Sequence, residues 1–334
     1  MKAKSKATLA ALSSAAFLFT TGCASSAHSP AEKYILIAAS TKVQYWQNVF
    51  AGLQHAGTEM GVKALMDGPD GHDPQSEEAA FKRAMALKPS GILVSVADAA
   101  MLTPDINAAI GQGIPVITID SDAPDSQRLL FIGTNNYSAG VTGGKLAAKL
   151  LGGKGNVVFF RLPNQPNQLS RLAGYQAAFE ASPQIKVTQT IDLKDEPDRS
   201  SFAFDTVKRL LDSKEKVDAF VCLESRACGG VADAVGRANL SGKVFVIGMD
   251  TDPETLDWMG KGVISATVAQ KPFTMGYYGA KLLDDLYHHP PTPMAQNWAQ
   301  SQFAPLPRFV DTGSFVLDKA GLAGFSQQSK GAGQ

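Results

Sequence analysis

From Lys33 onward the chain alternates short apolar runs with amphipathic stretches. Residues 34–39 (YILIAA) are apolar at nearly every position, as in a parallel strand buried on both faces. Val49, Phe50, Leu53, Ala56 and Met60 then recur at three- and four-residue spacing, which predicts a helix with one apolar stripe, ended by Gly61. Residues 62–66 predict a second strand, and Phe81, Met85 and Leu87 mark the next helix. A third strand over 91–96 (GILVSV), a helix over 106–110 and a fourth strand over 115–119 follow. A second series repeats the alternation: helix 141–151, strand 156–160, helix 172–179, strand 187–191, helix 204–211, strand 219–223, helix 230–238, strand 244–248, strand 264–268 and a long helix over 275–287. Strand–helix alternation of this kind predicts doubly wound parallel sheets. The units exceed one sheet of ordinary size, so the expected fold is α/β with two Rossmann-like lobes.

The two lobes contain an echo. Residues 113–122 (GIPVITIDSD) resemble 242–252 (GKVFVIGMDTD): a buried strand ends in an acid, then a Ser or Thr, then a second acid. Ligands of open α/β sheets sit beyond the carboxyl ends of strands. Asp120 and Asp250 occupy such ends, and two facing lobes would turn both into one cleft. Capping of the following helices is the alternative role for each.

Length and composition agree. The 334 residues are 44% hydrophobic and 19% charged, enough for sizeable cores and too little charge for a disordered chain. Lys and Arg number 31, as do Asp and Glu, and no basic stripe suggests nucleic acid. The N-terminus is an export signal: Lys2, Lys4 and Lys6 precede an apolar run over 7–19 that is too short to span a bilayer comfortably. Residues 1–23 are therefore excluded from the fold. The small residues before Cys23 resemble a bacterial lipoprotein cleavage site, which would make Cys23 the lipid-bearing first mature residue. Thr20 stands where that pattern usually has Leu, and an ordinary signal peptide is the alternative. Residues 24–32 read as a tether and 321–334 as a disordered tail.

Catalytic and metal patterns fail. The segment around Gly143-Gly144-Lys145 has Ala139 and Leu146 where a phosphate loop needs Gly and Ser/Thr. Residues 136–140 lack the first Gly of a nucleophile elbow. There is no HExxH and no paired CxxC. His28, His55, His72, His288 and His289 fall on helix faces, loops or the tether, so neither a metal site nor a catalytic base is expected. Cys222 in a strand and Cys228 in the next helix read as separate buried thiols.

Several matches together resemble the periplasmic sugar-binding proteins of the ribose-binding type, which serve ATP-driven (ABC) importers. The resemblance spans residues 34–316. It rests on Ser40-Thr41 followed by Tyr45-Trp46, on 114–120 (IPVITID), on 132–136 (IGTNN), on 168–174 (QLSRLAG), on 246–250 (VIGMD) and on 265–272 (SATVAQKP). It implies hinged closure of a lobe of 32–134 plus 271–306 onto a lobe of 135–270 plus 307–320, linked by three crossover strands. It further implies an exported monomer with no cofactor, no enzymatic activity, an ABC permease as partner and a membrane attachment through Cys23. Presentation of the closed form to a membrane signalling partner is the alternative use of the same closure. A ligand-responsive transcription regulator shares the fold but would need a DNA-binding N-terminus where this chain has an export signal.

The expected ligand contacts follow. Sugar faces are met by aromatic rings, so Tyr45 and Trp46 are candidates, with core packing as their alternative. Sugar edges are met by groups that make several hydrogen bonds at once: Asp120, Asp250, Arg171 and Gln270, joined by Ser40, Lys42, Gln44, Ser121, Asn136 and Glu224. A surface ion pair is the alternative for Arg171. Ser121 replaces an Arg of the family's ribose binders, Glu224 replaces an Asn, and an aromatic expected near 195–199 is missing. These departures predict an acidic pocket of Asp120, Glu224 and Asp250 around Arg171 and Lys42, suited to a hydroxyl-rich or amine-bearing ligand and unsuited to a phosphorylated one.

Overall fold

The computed structural model describes residues 28–163, 165–193, 199–213 and 215–331. The first half runs β1 (Lys33–Ile37), α1 (Gln44–Met60), β2 (Lys63–Asp67), α2 (Pro74–Ala86), β3 (Gly91–Val94), α3 (Ala99–Gly111), β4 (Val116–Ile119) and β5 (Leu130–Gly133). The chain continues with α4 (Asn136–Leu150), β6 (Lys154–Arg161), α5 (Pro166–Glu180), β7 (Gln184–Asp192), α6 (Arg199–Asp212), β8 (Ala219–Cys222), α7 (Ser225–Arg237), β9 (Phe245–Met249), α8 (Pro253–Gly260) and β10 (Ala266–Ala269). It closes with α9 (Pro272–His288), β11 (Phe309–Asp311), β12 (Phe315–Asp318) and α10 (Leu322–Gly331).

Two six-stranded sheets result, ordered β2-β1-β3-β4-β5-β11 and β7-β6-β8-β9-β10-β12. The first is parallel throughout, and the second is parallel except for β12, which runs antiparallel to β10. The orders are equivalent position for position, so each lobe is a doubly wound unit whose order reverses beside its first strand, where ligands of such sheets bind. β3, β4, β8 and β10 are buried at every residue, as the continuous apolar runs require. β7 is a largely exposed edge strand.

The chain crosses between lobes three times: after β5, after β10, and between β11 and β12. The last crossing corrects the sequence boundary, because β11 (within the stretch expected in the second lobe) pairs with β5 of the first. The residues after 320 are also corrected. Leu322 and Phe325 pack against the second core, and α10 forms where a disordered tail was expected. Cys23 and residues 24–27 of the tether lie outside the described residues.

Glycines set how closely the helices pair. A Cβ on Gly140 of α4 would lie 2.0 Å from the Arg171 carbonyl oxygen, and one on Gly174 of α5 would lie 2.1 Å from that of Tyr137. The same device joins α1 and α9, where a Cβ on Gly52 would meet the Phe273 oxygen at 2.1 Å and one on Gly276 the Val49 oxygen at 1.9 Å. Any side chain there would force the paired helices apart.

Cys222 and Cys228 are both free and buried. They form no disulfide, as the sequence suggests, and burial followed by the neighbouring Cys228 thiol raises the Cys222 pKa.

Candidate functional site

The carboxyl ends of the two sheets face each other across a cavity of about 130 Å³. At ~30 Å³ per water that space holds roughly four waters, the scale of a small polar solute. The first lobe supplies Ser40, Tyr45, Trp46, Asp120 and Ser121; the second supplies Arg171, Glu224, Asp250 and Gln270.

The two strand-end acids share an unusual backbone. Asp120 follows β4 at φ 64° and Asp250 follows β9 at φ 66°, both left-handed. Each donates its own N–H to the neighbouring strand, Asp120 to Ile132 at 3.1 Å and Asp250 to Val268 at 3.0 Å. Asp tolerates this conformation better than most residues, and the strain turns each side chain off its sheet into the cleft. Neither acid caps a helix among the described contacts; the second acid of each echo is engaged elsewhere. Asp122 pairs with buried Arg128 and accepts from the Thr118 hydroxyl at 2.6 Å, and Asp252 lies beside Ser225 and Arg226.

Arg171 is buried on α5. Its Nη1 donates to the carbonyl oxygen of Leu223, and its Nη2 donates to Asn136 Oδ1 at 2.6 Å. Asn136 is thus a positioning residue behind the cavity, not a wall of it. Arg171 Nε is buried without a hydrogen-bond partner, as are Gln270 Oε1 and Ser121 Oγ. Buried polar atoms are normally satisfied, so an unpaired donor and acceptor on the same cavity wall point to a ligand that fills both roles.

Tyr45 donates its hydroxyl to Asp120 Oδ1 at 2.7 Å and packs edge-on to Trp46, ring centroids 5.2 Å apart. Burial raises the Asp120 pKa, against the opposing effects of Tyr45, Arg171 and Asn167. Burial also moves Asp250 from 3.8 to about 7; Arg171 and Gln270 oppose the shift, and Asp252 and Asp120 add to it. Gln270 Nε2 donates to Asp250 Oδ1 at 2.9 Å.

Three expectations change. Lys42 and Gln44 do not reach the cavity: Lys42 lies 3.8 Å from Asp70 on the exposed surface, and Gln44 donates to Asn48 at 3.1 Å. Val43, the extended residue before α1, turns inward between them. The pocket is also not acidic. Arg199 and Arg226 line it beside Arg171, so three arginines balance Asp120, Glu224 and Asp250. Finally, Glu224 is both a wall and a helix cap, accepting from Ala227 N at 2.6 Å and Arg226 N at 3.1 Å with Arg199 Nη1 at 3.8 Å.

Sequence reasoning missed His72, Gln165, Asn167, Arg199 and Arg226 as wall residues. Gln165 Nε2 lies 3.1 Å from His72 Nε2 and donates to the Ala97 oxygen at 3.3 Å, and Asn167 Nδ2 donates to Asp120 Oδ2 at 3.4 Å. These contacts join the lobes across the cleft. Gln165 and Asn167 follow β6, so the strand-end rule that singled out Asp120 would have found them.

Residues 34–288 match the model of the periplasmic binding protein domain. The chain belongs to that family. It is similar to a sugar ABC transporter (sugar-binding protein) from Bacillus halodurans, with TM-score 0.78 and 34% identity over 87% of this chain and 99% of the other. It is also similar to an arabinose-binding protein from Geobacillus stearothermophilus, with TM-score 0.76 and 31% identity over 88% of this chain and 99% of the other. The D-allose-binding periplasmic protein of Escherichia coli is 27% identical over 268 residues, covering 76% of this chain and 84% of the relative. The chain is therefore a periplasmic binding protein of the sugar-binding, ABC-importer type, and proteins of this family bind solutes and are not enzymes. No helix among the described residues is long and apolar enough to cross a membrane.

Proposed function

We propose that this protein captures a neutral monosaccharide or related polyol by hinged closure and hands it to an ABC permease, held at the membrane by lipid on Cys23. One observation carries the ligand class: the cavity pairs strand-end acceptors with a buried arginine donor and leaves Arg171 Nε, Gln270 Oε1 and Ser121 Oγ for a guest. A solute with several hydroxyl groups donates to Asp120 and Asp250 and accepts from Arg171, while Trp46 offers a ring to its C–H face. The balance of three acids against three arginines favours an uncharged ligand. The relatives named for allose and arabinose support a hexose or a pentose.

Thermal-shift screening of pentoses, hexoses, sugar alcohols and amino-sugars tests this reading. A true ligand at 100 times its Kd stabilises the protein by ~2.7 kcal/mol. Flat melting curves across the panel overturn the assignment. Cys23→Ser is expected to release the protein from membranes, and continued membrane retention overturns the anchor.

A further inference from the structure

The first lobe carries a second cluster of chemistry, at the pole opposite the cleft. β1 begins there at Lys33, and α9, which enters from the second lobe and packs on β3, β4 and β5 of the first, ends there. His28 precedes β1, and Asp284 and His288 stand one turn apart on the last part of α9. The fold brings together residues about 256 positions apart in the chain. His28 Nε2 lies 3.0 Å from Asp284 Oδ2, and His288 Nε2 lies 3.6 Å from Asp284 Oδ1. The ligand atoms of His28, Asp284 and His288 all lie within 4.8 Å of one another. Glu32 Oε2 is 3.2 Å from His288 Nε2.

We propose that His28, Asp284 and His288, with Glu32 beside them, form a site for a divalent transition-metal ion such as Zn²⁺, which fastens the N-terminal segment to the end of α9. Two imidazoles with carboxylates are a donor set suited to zinc. Zinc bonds to N and O of ~2.1 Å in a tetrahedron place neighbouring donors about 3.4 Å apart. The observed separations of 3.0, 3.2 and 3.6 Å bracket that value. The carboxylates are already oriented: the Tyr34 hydroxyl donates to Asp284 Oδ1 at 2.9 Å, and the Ser29 N–H donates to Glu32 Oε1 at 2.7 Å. Outer contacts of this kind hold ligands in place in metal sites. The C-terminal end of a helix also favours a cation. The cluster is only partly covered, with side-chain exposures of 29% for His28, 17% for Asp284 and 19% for His288, so an ion can enter. Sequence reading found no metal set because it weighed neighbours along the chain, and these ligands are neighbours only in the fold.

The test titrates ZnCl₂ into the untagged, EDTA-stripped, exported protein by calorimetry, with ligand binding at the cleft measured in parallel. Binding of one equivalent is expected, weakened at least tenfold in His28→Gln and in His288→Gln. The exposed-histidine variants His55→Gln and His289→Gln serve as controls and should bind as the parent does. Zinc should also slow proteolysis within residues 24–32 at least tenfold in the parent and not in His28→Gln. All variants are expected to keep cleft binding and the metal-free melting point, which separates loss of the metal site from misfolding. The proposal is overturned if the parent takes up no stoichiometric zinc below 100 µM (roughly −5 kcal/mol), or if the His28→Gln/His288→Gln double variant binds as the parent does.

Discussion

The two lobes solve one problem with the same backbone and different side chains. Each ends its fourth-position strand in a left-handed aspartate aimed at the cleft. In the first lobe Asp120 is already satisfied by Tyr45 of its own lobe and is approached by Asn167 from the other. In the second lobe Asp250 has only Gln270 among its described side-chain hydrogen bonds, and Gln270 keeps an unpaired carbonyl oxygen. Arg171, with its unpaired Nε, belongs to the same lobe. Spare hydrogen-bonding capacity is thus concentrated in the second lobe, while the first offers a prearranged aromatic wall. Equivalent topology fixes where acids point; the neighbours decide how much of each acid remains for a ligand.

The contrast is open to direct attack. The largest effect is expected from Asp250→Ala, which removes about two charge-assisted hydrogen bonds of ~1.5–3 kcal/mol each and weakens ligand binding at least ~100-fold by calorimetry. Asp120→Ala should lose only about tenfold, because part of that carboxylate's capacity is spent on Tyr45. Equal losses would erase the distinction between the lobes. Next come the helix crossings, where the lobes should behave alike: Gly174→Ala and Gly276→Ala each cost roughly 1–3 kcal/mol in urea unfolding of the ligand-free protein. A tolerated alanine at either position shows that its helix pair can spread.

Acidity gives a finer test. Asp250 in the free protein titrates at about 7, and hydroxyl donors of a bound ligand favour its ionised form. Binding below pH 7 must therefore release a proton, so affinity falls by at most tenfold per unit as pH drops below 7 and is flat above it. The free protein has the opposite trend in stability: a raised folded pKa makes stability fall as pH rises from about 4 to 7. Calorimetry in buffers of different ionisation enthalpy reads the proton, and a pH-independent affinity would place the charge elsewhere. The smallest effect is expected for Tyr45→Phe, about 0.5–1.5 kcal/mol of lost hydrogen bonding to Asp120. No change at all would mean that Asp120 is free to serve the ligand as fully as Asp250.

Much of this was legible along the chain because buried parallel strands advertise themselves. The apolar runs ending at Ile119 and Met249 located the sheets and, through the acids that follow, the cleft. Strands β5, β11 and β12 were missed as strands: they are three or four residues long, and β11 and β12 carry exposed positions that break an apolar run. α10 was missed because its small polar residues give little periodicity, and the packing of Leu322 and Phe325 on the second core, with Phe325 against Phe315, reveals its role. Lys42 and Gln44 were misplaced because the direction of a side chain in the turn before α1 depends on the backbone of Val43, which no spacing rule specifies. Arg199 escaped notice because an aromatic was sought at that position; its approach to Glu224 is a tertiary contact between α6 and the start of α7.

The triple passage of the backbone between the sheets constrains how this molecule can move. A single linker lets two bodies swivel and twist freely, whereas three strands side by side act like the knuckles of a door, leaving one easy axis of rotation. Among the described residues, the polar contacts of Gln165 and Asn167 are ones that swinging open along that axis would break. On the proposed hinged closure, a guest held by either half would be met by the other along that one arc, which brings Asp120 and Asp250 to it together.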